Sequence, residues 1–147
     1  MYELAKQEDP SRLYDSASGW FAQKKNDFDS HHVYYGNDHP KPDTRPMLLS
    51  EFGGYSYLVP EHSYAKYSSY GYGVCKDQEE LEERIEARYA DLLYPVVRDG
   101  ACGCVYTQLS DVEDEINGLY TYDRRVCKVG PEHMRKISQK LQEQFGS

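Results

Sequence analysis

The stretch MLLSEFGGY, residues 47–55, joins a short apolar run to a single carboxylate and a pair of glycines. Buried strand positions are apolar, and an unpaired Glu almost never lies there. Glu51 at the end of the run therefore indicates a side chain that points out of the core, and Gly53-Gly54 allow a tight turn directly after it. Barrel enzymes present a reactive group in this way, at the C-terminal end of a strand. The alternative is a strand end that carries a solvent-exposed Glu.

The rest of the sequence predicts a single α/β domain over residues 1–147. The clearest helix covers 77–97, because Asp77 and Glu80 form a capping-box start and apolar residues recur at helical spacing after it. Short strands separated by long connections, without hairpin turn signals, favour parallel pairing. The predicted strands cover 13–17, 28–35, 46–50 and 101–108, and further helices cover 2–8 and a segment that starts at Pro131.

Composition excludes several classes of partner. The chain has 147 residues and a net charge of −8, whereas nucleic acids and anionic membranes require a basic face. No apolar run approaches the roughly 20 residues of a membrane helix, and the N-terminal residues contain no apolar signal region. We therefore expect no nucleic-acid partner, no membrane association and a cytoplasmic location.

Cysteine and tyrosine usage bears on the chemistry. The four cysteines include the pair Cys102 and Cys104, but no second closely spaced Cys/His pair completes a zinc site. We expect buried free thiols, no metal and no cofactor. Fifteen tyrosines accompany one tryptophan; a phenol combines a stacking face with a hydroxyl group, which suits a polar ligand such as a sugar.

Polar and aromatic residues gather at the predicted strand ends. If the strands are parallel and adjacent, these ends lie along one edge of the sheet and together supply a carboxylate, imidazoles, phenols, an indole and an amide. A site for a polyhydroxylated ligand needs such groups, whereas a core does not. The residues concerned are Ser18, Trp20, His31, His32, Tyr34, Tyr35, Glu51, Tyr106, Thr107, Gln108 and Asp111.

Four motifs carry a resemblance to a known family. They are RLYDSASGW (12–20), HHVYYG (31–36), RPMLLSEFGG (45–54) and the most specific one, VYTQLSDVEDEINGLYTYDR (105–124). In this order they resemble the C-terminal half of the catalytic (β/α)8 TIM barrel of glycoside hydrolase family 2, which includes β-galactosidases, β-glucuronidases and β-mannosidases. The resemblance implies a fold of about strands five to eight with their helices, and a carbohydrate substrate.

The resemblance also implies roles for particular residues. Glu51 matches the nucleophile of a retaining mechanism, and Tyr34 matches a tyrosine that hydrogen-bonds that nucleophile. His32 falls where the family has a polar residue that reaches the substrate. Tyr106 falls where many members have a tryptophan that forms the floor of the sugar site. Trp20, Gln108 and Asp111 complete the implied substrate-binding set.

One part of the family's chemistry is missing from the sequence. A retaining glycosidase needs a second carboxylate as general acid/base, which the family carries in an Asn-Glu pair, and this sequence contains no such dipeptide. We therefore expect a fragment of a retaining β-glycosidase that is inactive alone. The alternatives are a non-catalytic carbohydrate-binding module and an interaction protein. Exposed strand edges in a half-barrel also predict self-association, for example as a homodimer.

Overall fold

A computed structural model describes residues 1–19, 25–36, 39–67 and 70–145. Its centre is an open three-stranded parallel sheet in the order β1-β2-β3. The strands are β1 (Asp29–Val33), β2 (Met47–Gly53) and β3 (Ala101–Thr107). The predicted α/β class and the parallel pairing are confirmed, and β2, which carries Glu51, is the central strand.

Strand β2 contains one residue more than β1 at the position where it carries the carboxylate. His31 pairs with Leu49, but the next residue, His32, pairs with Glu51. Ser50 is therefore the extra residue of a β-bulge, and its hydroxyl accepts a hydrogen bond of 2.7 Å from Ser30 in the neighbouring strand.

The same extra residue appears against β3. Cys104 pairs with Leu49 and Tyr106 pairs with Phe52, so three steps along β2 match two along β3. In a regular strand, Leu49 and Phe52 would face opposite sides of the sheet. Both side chains are instead completely buried in one core. The bulge thus keeps these two apolar residues on one face of the sheet. Such bulges also change the direction of the neighbouring side chain, which here is Glu51.

A long helical segment covers one face of the sheet. Asp77 caps its first turn, since its carboxylate accepts a hydrogen bond of 2.9 Å from the Glu80 N–H. The helix predicted over 77–97 is confirmed, with a difference in its middle: α2 (Gln78–Arg88) continues through a π-helical turn (Tyr89–Leu93) into α3 (Tyr94–Arg98).

Proline explains the irregular middle of this helix. Pro95 has no N–H, so the carbonyl of Asp91, four residues earlier, loses its helical donor. The His39 ring provides a replacement, because its Nε2 lies 2.7 Å from the Asp91 carbonyl oxygen. A carbonyl only accepts, so Nε2 carries the proton in this contact.

The hydrophobic core lies between the sheet and these helices. Strand β2, the α2–α3 segment and the C-terminal helix α4 (Pro131–Phe145) supply most of its completely or almost completely buried side chains. They include Met47, Leu49, Phe52, Leu81, Ile85, Leu92, Leu93, Val96 and Ile137. The predicted start of α4 at Pro131 is confirmed. Within the described ranges, none of the helices has the length and apolar character that a bilayer span requires.

The predicted strand over 13–17 is wrong, since this segment has no strand pairing. Its backbone N–H groups donate hydrogen bonds to side chains instead. The Tyr14 N–H donates to the Asp27 carboxylate at 2.7 Å, and the Ser16 N–H donates to the Asn26 side-chain oxygen. Asp15 in turn accepts a hydrogen bond of 2.7 Å from Asn26. Asn and Asp side chains from a later segment thus take the place of a strand ladder, and the apolar pattern did not reveal them.

Asp27 also fastens the N-terminal helix α1 (Tyr2–Glu8), whose predicted position is confirmed. Its carboxylate lies 2.8 Å from the Lys6 ammonium and accepts a hydrogen bond of 2.7 Å from the Tyr2 hydroxyl. Together with the Tyr14 N–H, these donors hold the pKa of Asp27 at about 2, the Lys6 contact being the largest cause.

The four thiols are free, as predicted, but not uniformly buried. Cys75 is buried, Cys104 and Cys127 are half-buried, and Cys102 is exposed. Cys102 lies on β3, which has a strand partner on one side only among the described residues. The expectation of burial is therefore wrong for Cys102, which is the extra residue at a register shift between β2 and β3.

A buried ion pair organises the long loop between β3 and α4. Asp111 and Lys128 are completely buried, and their charged groups lie 2.7 Å apart. The remaining Lys128 protons reach the carbonyl oxygens of Tyr57 and Ile116, both at 2.9 Å. The ammonium thus has three acceptors, and burial lowers the pKa of Lys128 while raising that of Asp111.

We expect Lys128→Met to destabilise the protein strongly, because it leaves the Asp111 carboxylate buried without its cation. Breaking one side of a buried pair costs about 3–5 kcal/mol. The matched control is Lys140→Met, which removes an exposed contact of 2.8 Å with Glu86; exposed ion pairs contribute little to stability. Urea unfolding of both variants measures the difference, and equal losses would contradict the structural role of the pair.

Candidate active site

Glu51 and Tyr34 meet at the C-terminal ends of two adjacent strands. The Tyr34 hydroxyl donates a hydrogen bond of 2.5 Å to Glu51 Oε2. Tyr34 follows β1 directly and is 9% exposed, whereas the Glu51 side chain is 40% exposed. The phenol is therefore fixed in the protein, and the carboxylate that it holds stays accessible to a ligand.

Tyr34 acts as a donor because its own ionisation is suppressed. Burial, followed by the hydrogen bond to Glu51, raises the pKa of Tyr34 well above its ordinary value. Thr107, at the end of β3, lies 3.2 Å from the same phenolic oxygen. Since the phenol's one proton goes to Glu51, the Thr107 hydroxyl is the donor in that second contact. Residues at or directly after the C-terminal ends of all three strands thus form one hydrogen-bonded chain.

His32 approaches the same carboxylate oxygen from β1. Its Nδ1 lies 3.4 Å from Glu51 Oε2, and its Nε2 lies 3.2 Å from the Ser18 hydroxyl. The ring is enclosed by Gly19, where a Cβ atom would lie only 2.3 Å from it. The segment predicted as a first strand therefore still reaches the site, and its glycine leaves room for the imidazole.

The two glycines after Glu51 leave space for aromatic rings. Both have φ in the left-handed region, +92° at Gly53 and +76° at Gly54. A Cβ atom on Gly53 would lie 2.3 Å from Tyr106, and one on Gly54 would lie 2.5 Å from Tyr72 and 3.2 Å from Tyr34. The glycine pair therefore provides the tight turn that the sequence predicts and also the room for the rings beside it.

Tyr106 is directed into the core in this structure. Its ring packs edge-on against Phe52, with centroids 5.5 Å apart, and lies nearly parallel to Tyr89 at 6.5 Å. Burial raises the pKa of its hydroxyl group. A contact between Tyr106 and a sugar ring stays a prediction from the resemblance, whereas its packing contacts are those of a core residue.

The other predicted substrate-binding residues lie in different surroundings. The Gln108 amide donates hydrogen bonds to Asn117 at 2.6 Å and to Glu115 at 3.3 Å. Asp111 belongs to the buried ion pair with Lys128, where nothing in solution reaches it. Trp20 lies outside the described residues. The structure therefore brings together Glu51, Tyr34 and His32, and it places Gln108 and Asp111 in the framework of the following loop.

An open cleft of about 700 Å³ lies next to this cluster. Three histidines and three tyrosines contribute to its walls, together with Val33 and Pro40. The six are His31, His32, His39, Tyr34, Tyr35 and Tyr72. Tyr35 is 71% exposed, so this cleft has both an accessible aromatic face and polar groups.

One residue of this site was not predicted to act there, and another was predicted only as one of the polar residues at the strand ends. Tyr72 stacks on Tyr34 with ring centroids 3.6 Å apart and planes inclined by 8°, and Thr107 contacts the Tyr34 hydroxyl. Thr107 stands next to Tyr106, so strand alternation could have separated the two, one facing the core and the other the site. The only sequence signal for Tyr72 is its place between two glycines in a tyrosine-rich loop.

Comparison of the chain with protein-family models and with curated proteins gives no match. Among the described residues, no three His, Cys, Asp or Glu side chains are grouped so that they could hold a metal ion. Inference about function therefore depends on the geometry at Glu51 and on the resemblance of the motifs.

We expect Glu51→Gln to lower the pKa of Tyr34. The substitution removes the negative charge that disfavours the phenolate but leaves the burial in place, so the pKa falls and stays above the ordinary value of about 10. Because the folded-state pKa is raised, Tyr34's contribution to stability is complete below about pH 10 and is lost as the pH rises through the folded value. Carbon-13 NMR of labelled tyrosines measures the titration.

The Tyr34→Phe variant assigns the resonance in that experiment. Glu61→Gln, at an exposed position in the short 3-10 helix Pro60–His62, is the matched control and should leave the Tyr34 titration unchanged. Identical titrations in the wild type and Glu51→Gln would mean that the 2.5 Å contact does not exist in solution.

Proposed function

We propose that this chain carries the nucleophile of a retaining β-glycosidase and belongs to the C-terminal half of a (β/α)8 barrel of the family 2 type. In the proposed reaction the Glu51 carboxylate attacks the anomeric carbon of a β-glycoside. A carboxylate–carbon bond forms while the bond from that carbon to the leaving oxygen breaks, and the leaving group keeps the electron pair.

The single observation that carries the proposal is the 2.5 Å hydrogen bond from Tyr34 to Glu51. A nucleophilic carboxylate must be oriented and accessible. The phenol that donates to the carboxylate fixes its orientation because the phenol is itself buried. With 40% of its side chain exposed, Glu51 is also accessible.

The arrangement of the strands supports the barrel assignment. Under the proposal, β1, β2 and β3 are strands six, seven and eight of the barrel, and the nucleophile stands at the C-terminal end of strand seven. Consecutive parallel strands with a helical crossover from β2 to β3 are the repeating unit of such a barrel. The segment 13–19, which reaches His32 without strand pairing, takes the place of strand five.

The proposal assigns the general acid/base to a residue outside this chain. Retaining enzymes place the two carboxyl groups about 5–5.5 Å apart. The charged or polar contacts of the Glu51 carboxylate in the described residues are Tyr34 and His32, and the sequence has no Asn-Glu pair. The chain alone is therefore expected to form the glycosyl–enzyme bond only with a leaving group that needs no protonation.

An activated fluorosugar tests the nucleophile without the missing acid. We expect 2,4-dinitrophenyl 2-deoxy-2-fluoro-β-glycosides to glycosylate Glu51, because dinitrophenolate leaves unprotonated and the fluorine slows hydrolysis of the ester. A panel with the galacto, gluco, manno and glucurono configurations covers the sugars of the family. Intact mass spectrometry should show one added glycosyl group per chain, and peptide mapping should place it on Glu51.

Two variants make this result specific. Glu51→Gln should abolish the label, and Glu61→Gln, at an exposed glutamate, should keep it. The proposal fails if no sugar of the panel labels the protein, or if the label persists in Glu51→Gln. Saturable sugar binding that depends on Glu51 without any label would favour the non-catalytic carbohydrate-binding alternative.

An open sheet edge favours self-association as an accompanying property. Within the described ranges β3 has no strand on its outer side, and Val105 on that strand is 53% exposed. Parallel sheets are normally covered on both faces, and an unpaired edge is a template for another strand. We therefore propose that a second copy of this chain pairs with the open edge.

Light scattering across a wide concentration range tests the association. We expect a dimer mass that Val105→Lys reduces to a monomer mass, because a charge on an edge strand disfavours pairing. Val74→Lys, which also replaces an exposed valine at 56% exposure but lies outside the sheet, should keep the dimer. A monomer at all concentrations would contradict self-association and leave the nucleophile proposal untouched.

A further inference from the structure

The position of Tyr34 is not fixed by the strand that precedes it. It follows Val33, the last residue of β1, so the strand ladder does not fix it. Its hydroxyl must nevertheless stay within hydrogen-bond distance of Glu51, which lies on a different strand. A phenol can rotate about two side-chain bonds, so neighbouring atoms must restrict it.

Tyr72 provides that restriction. Its ring lies parallel to the ring of Tyr34, with centroids 3.6 Å apart and an interplanar angle of 8°. The ring of Tyr35 in turn contacts the ring of Tyr72, with centroids 5.5 Å apart and planes inclined by 64°. The face of Tyr34 is thus covered by a residue from a separate loop, which is itself braced by the neighbour of Tyr34.

The loop that carries Tyr72 is hydrogen-bonded to the backbone immediately after Glu51. The Tyr72 N–H donates to the Gly54 carbonyl at 2.8 Å, and the Ser56 N–H donates to the Gly73 carbonyl at 2.8 Å. A third bond of 2.7 Å runs from Cys75 back to Ser56. The backbone after β2 therefore holds both the Tyr72 ring and, through β2 itself, the Glu51 carboxylate in position.

Gly54 makes the stack sterically feasible. A side chain there would start 2.5 Å from Tyr72 and 3.2 Å from Tyr34, so only glycine permits both rings to approach the turn. Its φ of +76° is also a conformation that favours glycine. The turn after Glu51 thus serves the positioning of the Tyr34–Tyr72 pair.

We propose that Tyr72 is a positioning residue, which holds the Tyr34 hydroxyl against Glu51 by stacking on the Tyr34 ring. This inference rests on the proposed function where it concerns reactivity, but its geometric content does not. The stacking involves the Tyr72 ring and not its hydroxyl group. Phenylalanine at this position should therefore keep Tyr34 in place, whereas an aliphatic side chain should not.

The experiment compares Tyr72→Phe with Tyr72→Leu and uses Tyr67→Leu, at a position 95% exposed in the same loop, as the matched control. The first readout is the carbon-13 NMR titration of Tyr34. Tyr72→Leu should let Tyr34 ionise at a lower pH, because the phenol gains solvent and loses its fixed contact with Glu51. Tyr72→Phe and Tyr67→Leu should leave the titration close to that of the wild type.

Repeating the titration in a Glu51→Gln background separates positioning from simple exposure to water. If Tyr72 acts by holding Tyr34 against Glu51, the effect of Tyr72→Leu should shrink when Glu51 carries no charge. A merely structural ring would instead give the same effect in both backgrounds, because independent changes add. Additive shifts would therefore overturn the proposal, as would a Tyr72→Leu titration identical to that of the wild type.

The second readout is the rate of fluorosugar labelling at Glu51. Tyr72→Leu should slow it by about 10- to 100-fold, as expected for a small misplacement of a reacting group, whereas Tyr72→Phe should stay within about twofold of the wild type, since the stack is kept. If the wild type is not labelled, the proposed function fails while the titration still decides the role of Tyr72. If Tyr72→Leu does not fold, nuclear Overhauser contacts between the two rings in the wild type decide it, and their absence overturns the proposal.

Discussion

The site depends on one extra residue in the central strand. Because β2 has a residue more than both neighbours between Leu49 and Phe52, two apolar side chains that a regular strand would place on opposite faces share one core. The irregularity falls at Ser50 and Glu51. Burial of both Leu49 and Phe52 therefore requires the irregularity that also sets the direction of the Glu51 carboxylate. A regular strand could bury only one of these two apolar side chains in this core.

Glycines with little room around them then let aromatic rings approach this strand. Gly19 faces His32, Gly53 faces Tyr106, and Gly54 faces both Tyr34 and Tyr72. In each case a Cβ atom would overlap a ring, so the backbone and the aromatic side chains are mutually fitted. The short distance between Tyr34 and Glu51 follows from this fit, because the phenol is confined between the turn after Glu51 and the ring stacked on it.

Sequence patterns predicted the features that depend on local chemistry. The cap at Asp77, the start of α4 at Pro131 and the parallel pairing follow from residue types at fixed spacing. The strand at 13–17 was wrong because Asn26 and Asp27, distant in sequence, occupy its backbone groups. Bonds of this kind depend on tertiary structure and leave no periodic signal.

The site residues divide along the same line. The strand-end position of Glu51 could be predicted because it is a local feature, whereas the contact of Tyr34 with Glu51 was predicted from the resemblance of the motifs. Two further contacts could not be predicted: the buried pairing of Asp111 with Lys128 and the stacking of Tyr72 on Tyr34. Each of them joins residues that are far apart in sequence and come together only in the folded protein. Under the proposed function this division is instructive: the reacting group is visible in one short motif, whereas the contacts that fix its orientation come from loops. Divergence of those loops would then change reactivity while the motif around Glu51 stayed the same.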